Sequence, residues 1–193
     1  NLKYINIGLK KDLFTSQTKK YVDKFINLEK KTNSQIIEVH NRPIYIQILR
    51  NHIKNKVFTL YFHNDPLSMD GSKTVNARKI LLKTCYKIIF NSSWSKKRFL
   101  EGLENKFVNS NKLLIFYQSA KKGNLSVINK KKKWITFVGK LNKAKGYDIF
   151  AKAIRNILNK NKDWLALIIG DEKREKIPLN HKNAKILGFK NHE

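Results

Sequence analysis

The sequence predicts an α/β protein of two tandem parallel-sheet units, the second of them cut short at Glu193. Three observations predict this. Short runs of β-branched and aromatic residues alternate with segments of helical period, the order that builds parallel sheets with right-handed crossovers. The rhythm stops over residues 118–133, where Ser119, Lys121, Gly123, Asn124 and the run Lys130 to Lys133 offer little apolar periodicity. It then resumes to the end of the chain. The expected organisation is a first domain over 1–117, incomplete at its start, a linker over 118–133, and an incomplete second domain over 134–193.

Each element has a local reason. Ile36-Ile37-Glu38-Val39 reads as a strand, and Pro43 opens a helix through Leu49, proline being tolerated at a first helical position. Val57 to Phe62 is the next strand, followed by a polar loop over 64–72 and a helix near Val75 to Leu82 with Leu81 and Leu82 inward. Tyr86 to Phe90 is a third strand. Ser93 or Ser95 can cap the helix that carries Phe99 and Leu100, and Leu113 to Tyr117 is a fourth strand. In the second unit, strand Trp134 to Val138 precedes a helix from about Tyr147 to Asn159, then strands Trp164 to Ile169 and Ala184 to Leu187. Phe150, Ala153, Ile154, Ile157 and Leu158 stand at i, i+3, i+4, i+7 and i+8, one expected buried stripe.

Composition sets outer bounds. With 41% hydrophobic residues in 193 the chain can build a core, and apolar runs such as Leu165 to Ile169 fall far short of the ~20 residues that span a bilayer. The single Cys85 has no disulfide partner, and Asn1-Leu2-Lys3-Tyr4 shows neither an initiator methionine nor a signal pattern. The expectation is a reducing cytoplasm and a piece of a longer protein. A net charge of +27 points first to nucleic acid. However, 35 of the 41 cations are Lys, and Asn and Ile each occur 22 times, a bias of adenine- and thymine-rich codons. Readers of nucleic acid favour the planar fork of Arg, so no nucleic-acid partner is expected.

The most informative stretch is Phe137-Val138-Gly139-Lys140-Leu141-Asn142-Lys143-Ala144-Lys145-Gly146, at a strand-to-helix junction. In open α/β sheets that crevice holds ligands. Gly139 lets a ligand approach the backbone, the helix start supplies N–H groups and a positive dipole end, and Lys140 and Lys145 can converge on one anion. The favoured ligand is a phosphate or diphosphate. A Walker loop is excluded because no Lys-Ser/Thr follows the second glycine, and a dinucleotide fingerprint because there is no G-x-G-x-x-G.

The string V-G-K-L-N-K-A-K-G-Y-D-I-F resembles the donor-phosphate motif of glycosyltransferase family 4, the group 1 glycosyl transferases of GT-B fold with two Rossmann-like domains. Y-F-H-N-D-P, K-I-I-F-N-S-S-W-S-K-K-R-F, L-A-L-I-I-G-D-E and A-K-I-L-G-F resemble further segments of that family in the same order, from about Ile36 to Phe189. The resemblance implies a glycosyltransferase of cell-envelope polysaccharide or lipid-linked glycan synthesis. It implies a nucleotide-sugar donor whose diphosphate meets Gly139, Lys140 and Lys145, a hydroxyl acceptor, retention of configuration, and no metal or other cofactor. His63 matches the family's interdomain histidine near the transferred sugar and is the implied catalytic residue. His40, Asp65 and Gly170 are candidate cleft-lining residues.

Three departures stand beside it. The family's glycine-rich loop after its first strand has no counterpart, and its paired glutamates would lie beyond Glu193, so the piece alone is expected to be inactive. Lys140 stands where Arg is commoner, which forfeits a bidentate grip.

Plainer readings compete: Lys140 and Lys145 as solvated lysines, His63 and Asp65 as a strand-end cap, His40 as a capped turn before Pro43. One His with one Asp is too small a set for zinc. Between Asn105 and Tyr147 eleven lysines occur with no acidic residue, a surface suited to peripheral contact with an anionic membrane at the inner face of the cytoplasmic membrane. The rival classes are a basic nucleic-acid-binding module without catalysis and a non-catalytic nucleotide-binding protein.

Overall fold

In the computed structural model, the described residues are 4–7, 16–119, 131–173 and 177–191. The chain divides into two compact units, Asn1–Lys122 and Gly123–Glu193. Most of the expected linker, residues 120–130, lies outside the described residues.

The first unit runs α1 (Gln17–Thr32), β1 (Ile36–His40), α2 (Pro43–His52), β2 (Val57–Phe62), α3 (Val75–Thr84), β3 (Cys85–Phe90), α4 (Ser93–Leu100) and β4 (Leu113–Ile115). All pairings are parallel and the sheet order is β1-β2-β3-β4. Central β2 is buried from Phe58 through Phe62, as a parallel strand covered on both faces must be. Its core joins Leu60, Phe62, Ile88 and Phe90 to Ile46, Leu81 and Phe99 from the helices. Cys85 is fully buried, and burial pushes its thiol up to about 12. It is a small core residue, not a nucleophile.

The second unit runs β5 (Trp134–Val138), α5 (Tyr147–Lys160), β6 (Leu165–Ile169) and β7 (Ala184–Gly188) in the parallel order β5-β6-β7. Ala166 and Ile168 of β6 pack with Tyr147, Ala151, Ile154 and Leu158 of α5. The α/β class and the parallel sheets are as the sequence implied.

Four details differ from the sequence reading. Helix α1 was not foreseen. The cap of α4 is Ser92, whose hydroxyl accepts the Ser95 N–H, because Ser93 and Ser95 already lie inside the helix. Strand β4 stops at Ile115; the Phe116 N–H still donates to Phe90 O at 2.9 Å, and the side chains of Phe116 and Tyr117 are exposed. The buried face of α5 is Tyr147-Ala151-Ile154-Leu158. Ile157 is 37% exposed and Phe150 packs only at the margin, because Tyr147 is seated against Phe137 and turns the helix by one position.

Candidate functional site

Both sheets put their informative residues at the carboxyl ends of parallel strands, where unpaired backbone and loop side chains are free to meet ligand. In the second unit β5, β6 and β7 each run out into glycine. Gly139 and Gly170 have φ of 154° and 143°, and Gly188 has 70°. Gly139 N–H donates to Ile169 O at 3.0 Å, and Gly170 N–H to Gly188 O at 2.9 Å, so the three strand ends are stitched together. A Cβ on Gly170 would stand 1.8 Å from Gly139 O. No side chain can occupy that spot, and this edge presents bare backbone.

The loop from Gly139 to α5 is held from within. Asn142 Oδ1 accepts the Lys145 N–H at 3.2 Å, closing a 3₁₀ turn over Lys143–Lys145, and Asn142 Nδ2 donates to Glu172 Oε2 at 2.8 Å from the β6–β7 connection. The helix therefore begins at Tyr147, after the lysines and not between them. Gly146 precedes it with φ 71° and no side-chain cap. Lys140 and Lys145 are exposed, with no ion pair to any carboxylate among the described residues. Asp148 in the first turn of α5 opposes an anion there, but Lys140, Lys143 and Lys145 outnumber it.

In the first unit His40 ends β1, His63 follows β2 and Asn91 follows β3. The parallel register sets His40 opposite Tyr61, so His63 lies one step beyond on the same face. His40 Nδ1 and His63 Nε2 are 2.7 Å apart. His40 Nε2 lies 2.7 Å from Glu38 Oε1, and His63 Nδ1 lies 2.7 Å from Gln118 Nε2. The rings of His40, Tyr61 and His63 are nearly parallel, with His63 stacked on Tyr61 at 4.4 Å between centroids. The backbone of His63 is fixed too, its N–H donating to Asn41 Oδ1 and its carbonyl accepting from Asn91 Nδ2. Burial, and then the charge of His40, hold the His63 imidazole below its ordinary pKa, against the opposing pull of Glu38.

Asp65 is committed locally. Its carboxylate accepts the Leu67 N–H at 3.0 Å and the Arg98 guanidinium at 3.1 Å. Burial alone would raise its pKa, but those hydrogen bonds and the Arg98 charge outweigh it and hold the carboxyl low. Sequence reasoning missed Glu38, Gln118, Asn91 and Gly188. The available signals were the period-two pairs Glu38/His40 and Tyr61/His63, and a glycine two residues before the end of the Ala184-to-Lys190 run.

Among the described residues, no group of three or more His, Cys, Asp or Glu side chains is placed to hold a metal ion, and no helix is long and apolar enough to cross a membrane.

Residues 119–192 match the family model described as glycosyl transferases group 1. No curated protein sequence matches the chain. Among solved structures, Anabaena Alr3699/HepE in complex with UDP-glucose is similar at 15% identity and TM-score 0.61, over 88% of this chain and 52% of that one. TarM is similar at 12% identity and TM-score 0.62, over 89% and 36%. The S. aureus MnaA-UDP structure follows at 12% and 0.52, over 94% and 54%. The chain spans about half the length of the first of these. At such identities the likeness shows the fold, which is of GT-B type, and the family match falls on the unit with the glycine-lined edge. Residues 119–192 are thus similar to the glycosyl transferases group 1 family, on a chain whose fold is of GT-B type.

Proposed function

We propose that the full-length protein transfers a sugar from a nucleoside-diphosphate sugar to a hydroxyl acceptor. The carrying observation is that the group 1 match coincides with an edge where three strands end in glycine and Lys140 and Lys145 stand unpaired among the described residues. Breaking the bond between sugar and diphosphate builds negative charge on the leaving phosphate. Two ammonium groups and the open N-terminus of α5 stabilise that charge where it develops. Gly139 allows the diphosphate to lie against backbone. The relatives crystallised with UDP and UDP-glucose support this donor class.

His63 faces the sugar in this reading, and a saccharide or lipid-linked glycan of the cell envelope supplies the hydroxyl. The lysine-rich stretch of sequence between residues 105 and 147 favours an anionic membrane, each cation near it contributing about 1 kcal/mol. No step of this scheme calls on a metal: the chain's own cations meet the charge. His63→Ala in the full-length protein is expected to lower sugar transfer about 100-fold or more, the range seen when one positioned polar group is removed. Affinity for UDP is expected to stay within about threefold of wild type. Calorimetry with UDP beside a transfer assay with UDP-glucose reads both, and unchanged turnover removes His63 from the scheme.

The pH dependence has a definite sign. The working form of His63 is neutral, so kcat/KM is full above its pKa and falls as pH drops through it. Because burial and His40 depress that pKa, the acid limb is expected below the ordinary imidazole value of 6.5. A limb above 6.5 contradicts the assignment.

A further inference from the structure

Glu38, His40, His63 and Gln118 form one hydrogen-bonded row along the carboxyl edge of the first sheet, each link 2.7 Å. The chemistry of the groups fixes the protons. A carboxylate only accepts, so the proton between Glu38 and His40 sits on His40 Nε2. In a neutral imidazole the second nitrogen is then an acceptor, and His40 Nδ1 must take the Nε2–H of His63. That leaves His63 Nδ1 as an acceptor, filled by the Gln118 amide N–H. With both rings neutral, no other arrangement satisfies every link.

We propose that Glu38 and His40 are positioning residues that lock His63 as its Nε2–H tautomer, and that a substrate sugar hydroxyl takes the place of the Gln118 amide as donor to His63 Nδ1. This rests on the reading of His63 as the residue that faces the sugar. Three features make it a built site. Tyr61 stacks against both rings and its hydroxyl donates to Phe116 O, which limits ring rotation. Asn41 and Asn91 hold the His63 backbone. Gln118 is exposed and tethered by no other side-chain hydrogen bond among the described residues, so it is displaceable at low cost.

The arrangement also selects its ligand. Phosphate oxygens at neutral pH mainly accept, and an acceptor facing Nδ1 finds no proton there. A hydroxyl donates and fits. The lock therefore suits His63 Nδ1 to a sugar hydroxyl and not to a phosphate oxygen. His40→Phe keeps a ring on Tyr61 and removes the acceptor of His63 Nε2–H. Glu38→Gln keeps shape but can donate as well as accept, so it no longer dictates the His40 tautomer. Both side chains are about half exposed, so neither change threatens folding.

The test is a long-range ¹H–¹⁵N spectrum of the histidines in the full-length protein at neutral pH, read beside transfer kinetics with UDP-glucose. The expected result is a single Nε2–H tautomer for His63 in the wild type and a tautomer mixture in both variants. In His40→Phe, kcat/KM is expected to fall between about three- and tenfold, the worth of one neutral hydrogen bond. Glu38→Gln follows in the same direction with a smaller fall. Addition of UDP-glucose should shift the His63 Nδ1 resonance, and UDP alone should leave it in place. If His63→Ala abolishes transfer while wild-type His63 is Nδ1–H or mixed, the positioning role is overturned and the sugar contact survives. An unchanged tautomer and unchanged kinetics in both variants overturn it as well. If His63→Ala itself transfers normally, the sugar-facing reading falls first and this inference with it.

Discussion

Gly170→Ala is expected to unfold the second unit's ligand edge. The new Cβ would meet Gly139 O at 1.8 Å and its carbonyl carbon at 2.8 Å, both backbone atoms that no rotamer change can move aside. The native φ of 143° is in addition a region that side chains rarely adopt, costing about 1–3 kcal/mol. Relief requires parting β5 from β6 and giving up the Gly139 N–H to Ile169 O hydrogen bond, about 1 kcal/mol more. The sum is about 2–4 kcal/mol of lost stability, with loss of UDP binding because the carbonyl of Gly139 must move. Gly188→Ala is the control: a Cβ there meets nothing within 4 Å, so only the strain of φ 70° applies. Urea unfolding followed by the three tryptophans, of which Trp134 and Trp164 lie in the second unit, measures both. Equal midpoints for Gly170→Ala and wild type contradict the close strand-end packing.

The second large effect is on binding. Lys140→Ala with Lys145→Ala removes both ammonium groups from the β5–α5 loop while leaving its fold intact, since the turn is held by Asn142 and Gly146 and neither lysine is buried. Hydrogen bonds to charged groups contribute about 1.5–3 kcal/mol each. Taking the lower end, because both lysines are exposed and screened, the pair is expected to weaken UDP binding about 100-fold. Each single variant should lose about tenfold and should flatten the salt dependence of binding. If a single variant matches wild type, that lysine belongs to the solvated majority of the 35 in the chain.

How much of this was legible follows from range. The strands were readable because each is a short apolar run bounded by polar loops, and burial on both faces of a parallel sheet leaves a continuous signal. Helix α1 was not, because of its five apolar or aromatic residues, Tyr21, Val22, Phe25, Ile26 and Leu28, only Val22 and Ile26 are buried, and Glu29 shares their face. The stripe of α5 was displaced by one position because Tyr147, read as the helix start, turned out to be a fully buried anchor. At the sites, the lysine loop was local in sequence and visible. The His40–His63 contact spans 23 residues and exists only because the register sets His40 against Tyr61, a fact that no local pattern contains. The meeting of Gly139 with Gly170 is likewise a product of pairing, hidden until two strand ends are laid side by side.

The most direct test of the donor site is a hydrogen-exchange footprint of the full-length protein with and without UDP. Slowed exchange concentrated at residues 138–147 and 169–172, weakened by Lys140→Ala with Lys145→Ala, is the expected result. Protection confined to other segments, or none at saturating UDP, contradicts the account.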